Sequence, residues 1–201
     1  MKNKIPLLLI QSRILIALII IAMVWLNVPS APIHITWLMI FGLLTDVFDG
    51  IIARKLNISS EKLRVWDSNV DQFFWISIIS CIFYLNWNFV IEQWPWLVFV
   101  IGLELLAYVI SYIKFKKSIA THSIAAKFWT ISLLVFLIDL TLNNTSGLPF
   151  WICIGLGILT RLEIIGIILL LKKWTTDVPS IILVSKINKG IPIKKNALFN
   201  G

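Results

Sequence analysis

The chain has 201 residues, of which 59% are hydrophobic and only 14% charged, with ten tryptophans and a mean hydropathy of +0.91. Such a composition excludes an ordinary soluble domain, and the apolar residues fall in runs of about 20, the length a helix needs to cross a ~30 Å hydrocarbon core. A formal net charge of +8 would suggest nucleic acid in a soluble chain, so the placement of the charges along the sequence decides which partner they serve.

The N-terminus begins MKNK and turns apolar at once, as a cleaved leader would. The apolar run over 14–26 continues an earlier one over 5–10, and the later segments need an N-terminal partner span, which argues against cleavage. Residues 2–10 read as an amphipathic helix lying in the interface and residues 12–27 as the first span, with Gln11, Ser12 and Arg13 marking the join. NVPSAP at 27–32, a turn with two prolines, leads into a second span over 33–56. The polar connector NISSEK at 57–62, with Ser59 or Ser60 as N-cap, opens a third span over 61–85. NWNFVIEQWP at 86–95 reads as a loop with interfacial tryptophans, before a fourth span over 96–113 that ends in Lys114, Lys116 and Lys117. A fifth span covers 124–142, and NNTSGLP at 143–149 turns the chain into a sixth over 150–171. The basic tail, 172–201, is either an interfacial strap or partly disordered.

Lys and Arg gather at the N-terminus and after spans two, four and six, whereas the loops at 27–32, 86–95 and 143–149 contain none. This positive-inside pattern predicts both termini on the cytoplasmic side and accounts for the charge without nucleic acid. The expected fold is therefore an all-α integral membrane protein, one domain over 1–201, with six transmembrane helices and a short N-terminal interfacial helix. Cys81 and Cys153 lie in apolar segments without metal-ligand spacing and read as core residues.

Four aspartates interrupt this apolar chain. Asp46 and Asp49 are three residues apart near the end of span two, and Asp67 and Asp71 are four apart near the start of span three, so each pair shares a helix face. Connectivity alone makes the two spans an antiparallel hairpin and brings all four carboxylates to one membrane face. An ionised aspartate at membrane depth costs roughly 2.5 to 3.5 kcal/mol on insertion scales. Four together call for compensation, most simply by divalent cations, and carboxylates without His or Cys suit Mg²⁺ or Mn²⁺. Gly50 and Ala53 lack bulk on the same helix, which either serves close helix packing or lets a nucleotide lie against the backbone. Arg54 can meet a diphosphate at the lip of the membrane.

The stretch from Asp46 through Gly50, Ala53, Arg54 and Asp67 to Asp71 resembles the signature D-x2-D-G-x2-A-R-x8-G-x3-D-x3-D of the CDP-alcohol phosphatidyltransferase family. Seven of its eight fixed positions match across 26 residues, and Leu63 stands at the second glycine. Ile5, Pro6 and Arg13 are similar to the I-P-N-x-L-T-x2-R start of the family's phosphatidylglycerophosphate synthase branch, with Leu7 and Ile10 in place of its asparagine and threonine. The resemblance implies a bacterial-type enzyme of the inner membrane that moves the phosphatidyl group from CDP-diacylglycerol to a small polar alcohol, releasing CMP. It implies two divalent cations on Asp46, Asp49, Asp67 and Asp71, with Asp71 as general base, and a nucleotide site at Asp46, Gly50, Ala53, Arg54 and Leu63. It also implies a homodimer. Glycerol 3-phosphate, inositol or its phosphate, and an amino alcohol or serine all remain as acceptors. Lys127, in AAKFWT, is similar to the family's G-K-x-K-T stretch and is a candidate for acceptor binding.

Elsewhere the spans hold Glu104, Asp139, Arg161 and Glu163. Arg161 and Glu163 either line an acceptor or lipid cavity or pair with Glu104 or Asp139 as structural contacts. His122 reads as a solvated loop residue. Two rival functions stay open: transfer of a CDP-linked head group to diacylglycerol, and a divalent-cation transporter, whose interrupted helices and repeat halves the sequence does not display.

Overall fold

The computed structural model describes residues 5–56, 61–117, 119, 123–175 and 178–191. Six long helices carry the chain: α1, Ile5–Trp25; α2, Ala31–Lys55; α3, Glu61–Leu85; α4, Trp87–Phe115; α5, Ile124–Asn143; and α6, Leu148–Leu170. A 3-10 turn at Ile181–Leu183 and a short helix α7, Val184–Asn188, follow. The described residues contain no strand. All six long helices are long and apolar enough to cross a membrane, spanning about 30 to 44 Å at 1.5 Å per residue. The fold is an all-α integral membrane protein, as the apolar runs predict. The helices group into two compact units, Met1–Phe89 with Leu137–Thr145 and Val90–Phe136 with Ser146–Gly201.

In the first unit, α1 packs along both α2 and α3. Its buried positions, Pro6, Ile10, Arg13, Ile16, Ala17, Ile20 and Val24, recur every three to four residues and so form one stripe of a 3.6-residue helix. An arginine sits in that stripe as if it were a core residue. On α2 the inward positions Ile35, Met39, Thr45, Asp49 and Ala53 follow the same period, as do Val70, Phe74 and Ile78 on α3. Gly42 lets α2 and α3 meet: a Cβ there would collide with the Phe74 ring. Large apolar side chains such as Leu8, Leu15, Trp37 and Ile76 face outward, where lipid can receive them.

Three boundaries differ from expectation. No break separates the segment expected to lie in the interface at 2–10 from the first span, because α1 runs unbroken from Ile5. Ser12 satisfies its hydroxyl on the Leu9 carbonyl at 2.6 Å and Arg13 finds counter-charges, so neither polar residue ends the helix. The loop expected at 86–95 shrinks to a turn at Asn86, whose side-chain amide donates to the Ile82 carbonyl at 2.9 Å. Pro95 then lies inside α4, where it forfeits the amide bond back to residue 91 and sets its ring against that residue's carbonyl. The described part of the tail, 178–191, left open by sequence, folds back on α6. Val178 and Val184 close over Ile167 and Leu171, and Gly166 leaves room for Ile181.

Two of the turns without positive charge are set by asparagine. Asn27, at φ 50°, ends α1 in a Schellman motif, with its N–H on Val24 and that of Val28 on Met23. Asn144, at φ 57°, closes α5 through the Leu140 carbonyl.

Candidate active site

The aspartate hairpin lies wholly within the first unit, and helix geometry sets its level. At 1.5 Å per residue, Asp46 and Asp49 stand about 14 and 9 Å from the end of α2, and Asp67 and Asp71 about 9 and 15 Å from the start of α3. Arg13 stands about 12 Å from the start of α1, at the same depth. The fold accordingly brings five charged side chains from three helices to one point.

Arg13 is the centre of that point. Its Nη1 donates to Asp46 Oδ1 at 3.0 Å and pairs with Asp71 Oδ1; its Nη2 donates to Asp49 Oδ2 and Asp67 Oδ1, each at 2.5 Å. Each terminal nitrogen thus bridges one carboxylate of α2 and one of α3. The Arg13 side chain is fully buried and that of Asp49 is 3% exposed, whereas Asp46, Asp67 and Asp71 keep 37%, 26% and 30% of their surface. The cluster has a closed floor at Arg13 and Asp49 and a more exposed rim at Asp46, Asp67 and Asp71. Arg13 Nε, buried as well, has no hydrogen-bond partner among the described residues.

Asp46, Asp49 and Asp67 also offer one oxygen each within 4.8 Å of one another. A donor set of carboxylate oxygens suits a hard divalent cation such as Mg²⁺ or Mn²⁺. The residues therefore fit such an ion. Gly50 is half-buried and Ala53 buried beside Asp49 on α2, and Leu63 is half-buried in the first turn of α3. Arg54 lies in the last turn of α2, and its side chain is outside the described residues.

Arg161, Glu104, Glu163 and Lys127 belong to the second unit. Arg161 Nε donates to Glu104 Oε2 at 2.8 Å, and its guanidinium carbon lies 3.6 Å from the centre of the Trp129 ring. Gly157 makes room for this indole, whose nitrogen would be 3.0 Å from a Cβ there. Arg161 Nη1 and Trp129 Nε1 are buried donors without hydrogen-bond partners among the described residues. Lys127 lies half-buried in the first turn of α5. Glu163 pairs with no cation among the described residues. Its Oε1 accepts from the Ser180 hydroxyl at 2.9 Å and the Ile181 amide at 3.3 Å, tying the tail to α6. Asp139, in the first unit, accepts from the Asn143 amide at 2.7 Å. His122 lies outside the described residues.

The model of one family, CDP-alcohol phosphatidyltransferase, matches residues 3–177, most of the chain. The chain belongs to the CDP-alcohol phosphatidyltransferase family. No curated protein sequence and no solved structure matches it. As a CDP-alcohol phosphatidyltransferase it is a membrane-embedded transferase of phospholipid synthesis, from a family generally dependent on divalent cations. The acidic cluster of such an enzyme stands at the hairpin of α2 and α3. What sequence reasoning missed in this CDP-alcohol phosphatidyltransferase is Arg13. The signal was an arginine on the apolar stripe of α1, three residues from Ile10 and from Ile16 on either side, in a helix that needed no charge of its own.

Proposed function

We propose that the chain transfers the phosphatidyl group of CDP-diacylglycerol to the hydroxyl of a small polar alcohol. The acceptor oxygen bonds to the phosphorus that carries diacylglycerol, the bond from that phosphorus to the bridging oxygen breaks, and CMP leaves. The observation that carries this reading is the meeting of Asp46, Asp49, Asp67 and Asp71 around one point of a transferase-family hairpin.

In this reading the four aspartates hold two divalent cations, Mg²⁺ or Mn²⁺. When bound, these neutralise the diphosphate and stabilise the charge gathering on the departing phosphate. Asp71, on the open rim, takes the proton of the attacking hydroxyl. Arg54 holds the diphosphate in its planar fork, and Gly50 and Ala53 allow the nucleotide to approach α2, with Leu63 shaping the pocket where the family carries glycine. Lys127 and Arg161 are assigned to the acceptor on their chemistry: both are cations in apolar helices, and Arg161 retains a buried donor. Both termini and the site face the cytoplasm of a bacterial inner membrane, as the charge pattern supports, and the enzyme works as a homodimer. Membership of a transferase family leaves the cation-transport reading without support.

The test is CMP release by purified protein supplied with CDP-diacylglycerol, Mn²⁺ or Mg²⁺ and single candidate alcohols. Acceptor-dependent CMP, lost in Asp71→Asn, supports the reading and names the alcohol. Absence of CMP with every alcohol, from folded protein, removes it.

A further inference from the structure

We propose that Arg13 is a resident counter-cation of the aspartate cluster that competes with divalent metal for the same four carboxylates, so that metal loads only as the guanidinium withdraws. The inference rests on the reading that those carboxylates hold metal. Four observations carry it.

The first is the division of contacts. Nη1 bridges Asp46 and Asp71, and Nη2 bridges Asp49 and Asp67. The two nitrogens therefore do what cations joining α2 to α3 would do, with all four acids engaged at once. The second is charge. Four carboxylates carry four negative charges and the guanidinium offsets one; two divalent ions would offset all four. A guanidinium left in place beside them would repel each ion across a few ångströms of poorly screening interior. The third is burial. Arg13 is closed off from solvent, so water cannot screen that repulsion as it does at a surface.

The fourth is the orphan Nε. The head of the side chain is held only through its terminal nitrogens, while Nε lies buried without a partner. A satisfied, permanently structural arginine would engage it. Withdrawal of the guanidinium costs Nε no hydrogen bond and frees the carboxylate oxygens together. Arg13 is thus a positioning residue acting through the aspartates. It keeps them gathered, and it sets how tightly metal must bind to displace it.

The experiment is a Mn²⁺ titration of purified protein in lipid nanodiscs, following the electron paramagnetic resonance signal of free Mn²⁺ and, in parallel, thermal unfolding. The proteins are wild type, Arg13→Gln, Arg13→Lys, and each of these with Asp67→Asn. Arg13→Gln is expected to bind Mn²⁺ at least about tenfold more tightly than wild type. Its unfolding temperature without Mn²⁺ should be lower and its gain on adding Mn²⁺ larger. Arg13→Lys, which keeps the charge but loses the two-nitrogen fork, should fall between. Adding Asp67→Asn should abolish tight binding in every background.

If Arg13→Gln binds Mn²⁺ as wild type does, or more weakly, while Asp67→Asn abolishes binding, the metal site stands and the competition is overturned. If Asp67→Asn leaves Mn²⁺ binding unchanged in all backgrounds, the metal reading itself fails and the inference with it. Should Arg13→Gln not fold, Arg13→Lys decides: tighter binding supports competition, and an unchanged dissociation constant overturns it.

Discussion

Arg13 donates from Nη2 to Asp49 Oδ2 across 2.5 Å, and both side chains are shut off from solvent. A buried ion pair of this kind is costly to break from one side, because the surviving charge stays in the interior uncompensated. Without metal, Asp49 and Arg13 are therefore the buried floor that holds the cluster together, and Asp46, Asp67 and Asp71 are its more exposed edge. Asp49→Asn should destabilise the folded protein by about 3 kcal/mol, and Asp46→Asn, whose side chain is 37% exposed, by clearly less. Thermal unfolding of the two variants in the same detergent orders them.

Gly42 and Phe74 control how closely α2 and α3 approach one turn beyond Asp46 and Asp71. Gly42→Leu should cost about 1 to 3 kcal/mol through overpacking and should lower kcat by shifting carboxylates that must act together. Phe74→Ala costs stability through a cavity, yet combined with Gly42→Leu it should recover part of the loss. A double-mutant cycle read by unfolding temperature and by CMP release measures that coupling.

For Arg161, the stack on Trp129 and the bond to Glu104 fix the plane of the guanidinium. Arg161→Lys keeps the charge but neither contact. With Arg161 on the acceptor, KM for the alcohol should rise about tenfold, corresponding to one lost charge-assisted hydrogen bond, while KM for CDP-diacylglycerol stays within about twofold of wild type. Equal rises in both constants would assign Arg161 to packing alone.

The tail is held to α6 by the close fit of Ile181 over Gly166 and by Glu163 accepting from Ser180. Gly166→Leu should dislodge the tail, and limited trypsin digestion should then cleave at Lys186 and Lys189 several-fold faster than in wild type. Unchanged cleavage would show that the fit of Ile181 over Gly166 is not what secures the tail.

The six spans were legible because uninterrupted apolar runs leave a chain few alternatives in a membrane, and the four aspartates because charges there demand a reason. Boundaries were harder. Pro95 and the tryptophans around it carry the signals of an interfacial loop, yet a helix reaching the membrane surface tolerates both, so α4 begins at Trp87. Gln11, Ser12 and Arg13 likewise resembled a joint, since local polarity does not reveal that carboxylates on two other helices await the arginine. The need for positive charge beside the aspartates was readable; that the chain itself supplies one such charge from α1 depends on packing between segments 33 to 58 residues apart. The partner of Glu163 was hidden for the same reason, lying in a tail whose fold depends on α6.

In the proposed reaction the phosphorus carrying diacylglycerol moves to the acceptor. CDP-diacylglycerol labelled at that phosphorus, incubated with the protein, Mn²⁺ and the acceptor that supports CMP release, tests it directly. The account predicts the label in the new phospholipid and none in the released CMP, with both products absent from Asp71→Asn. Label leaving with the nucleotide, or staying in unreacted CDP-diacylglycerol while wild-type protein remains folded, would contradict it.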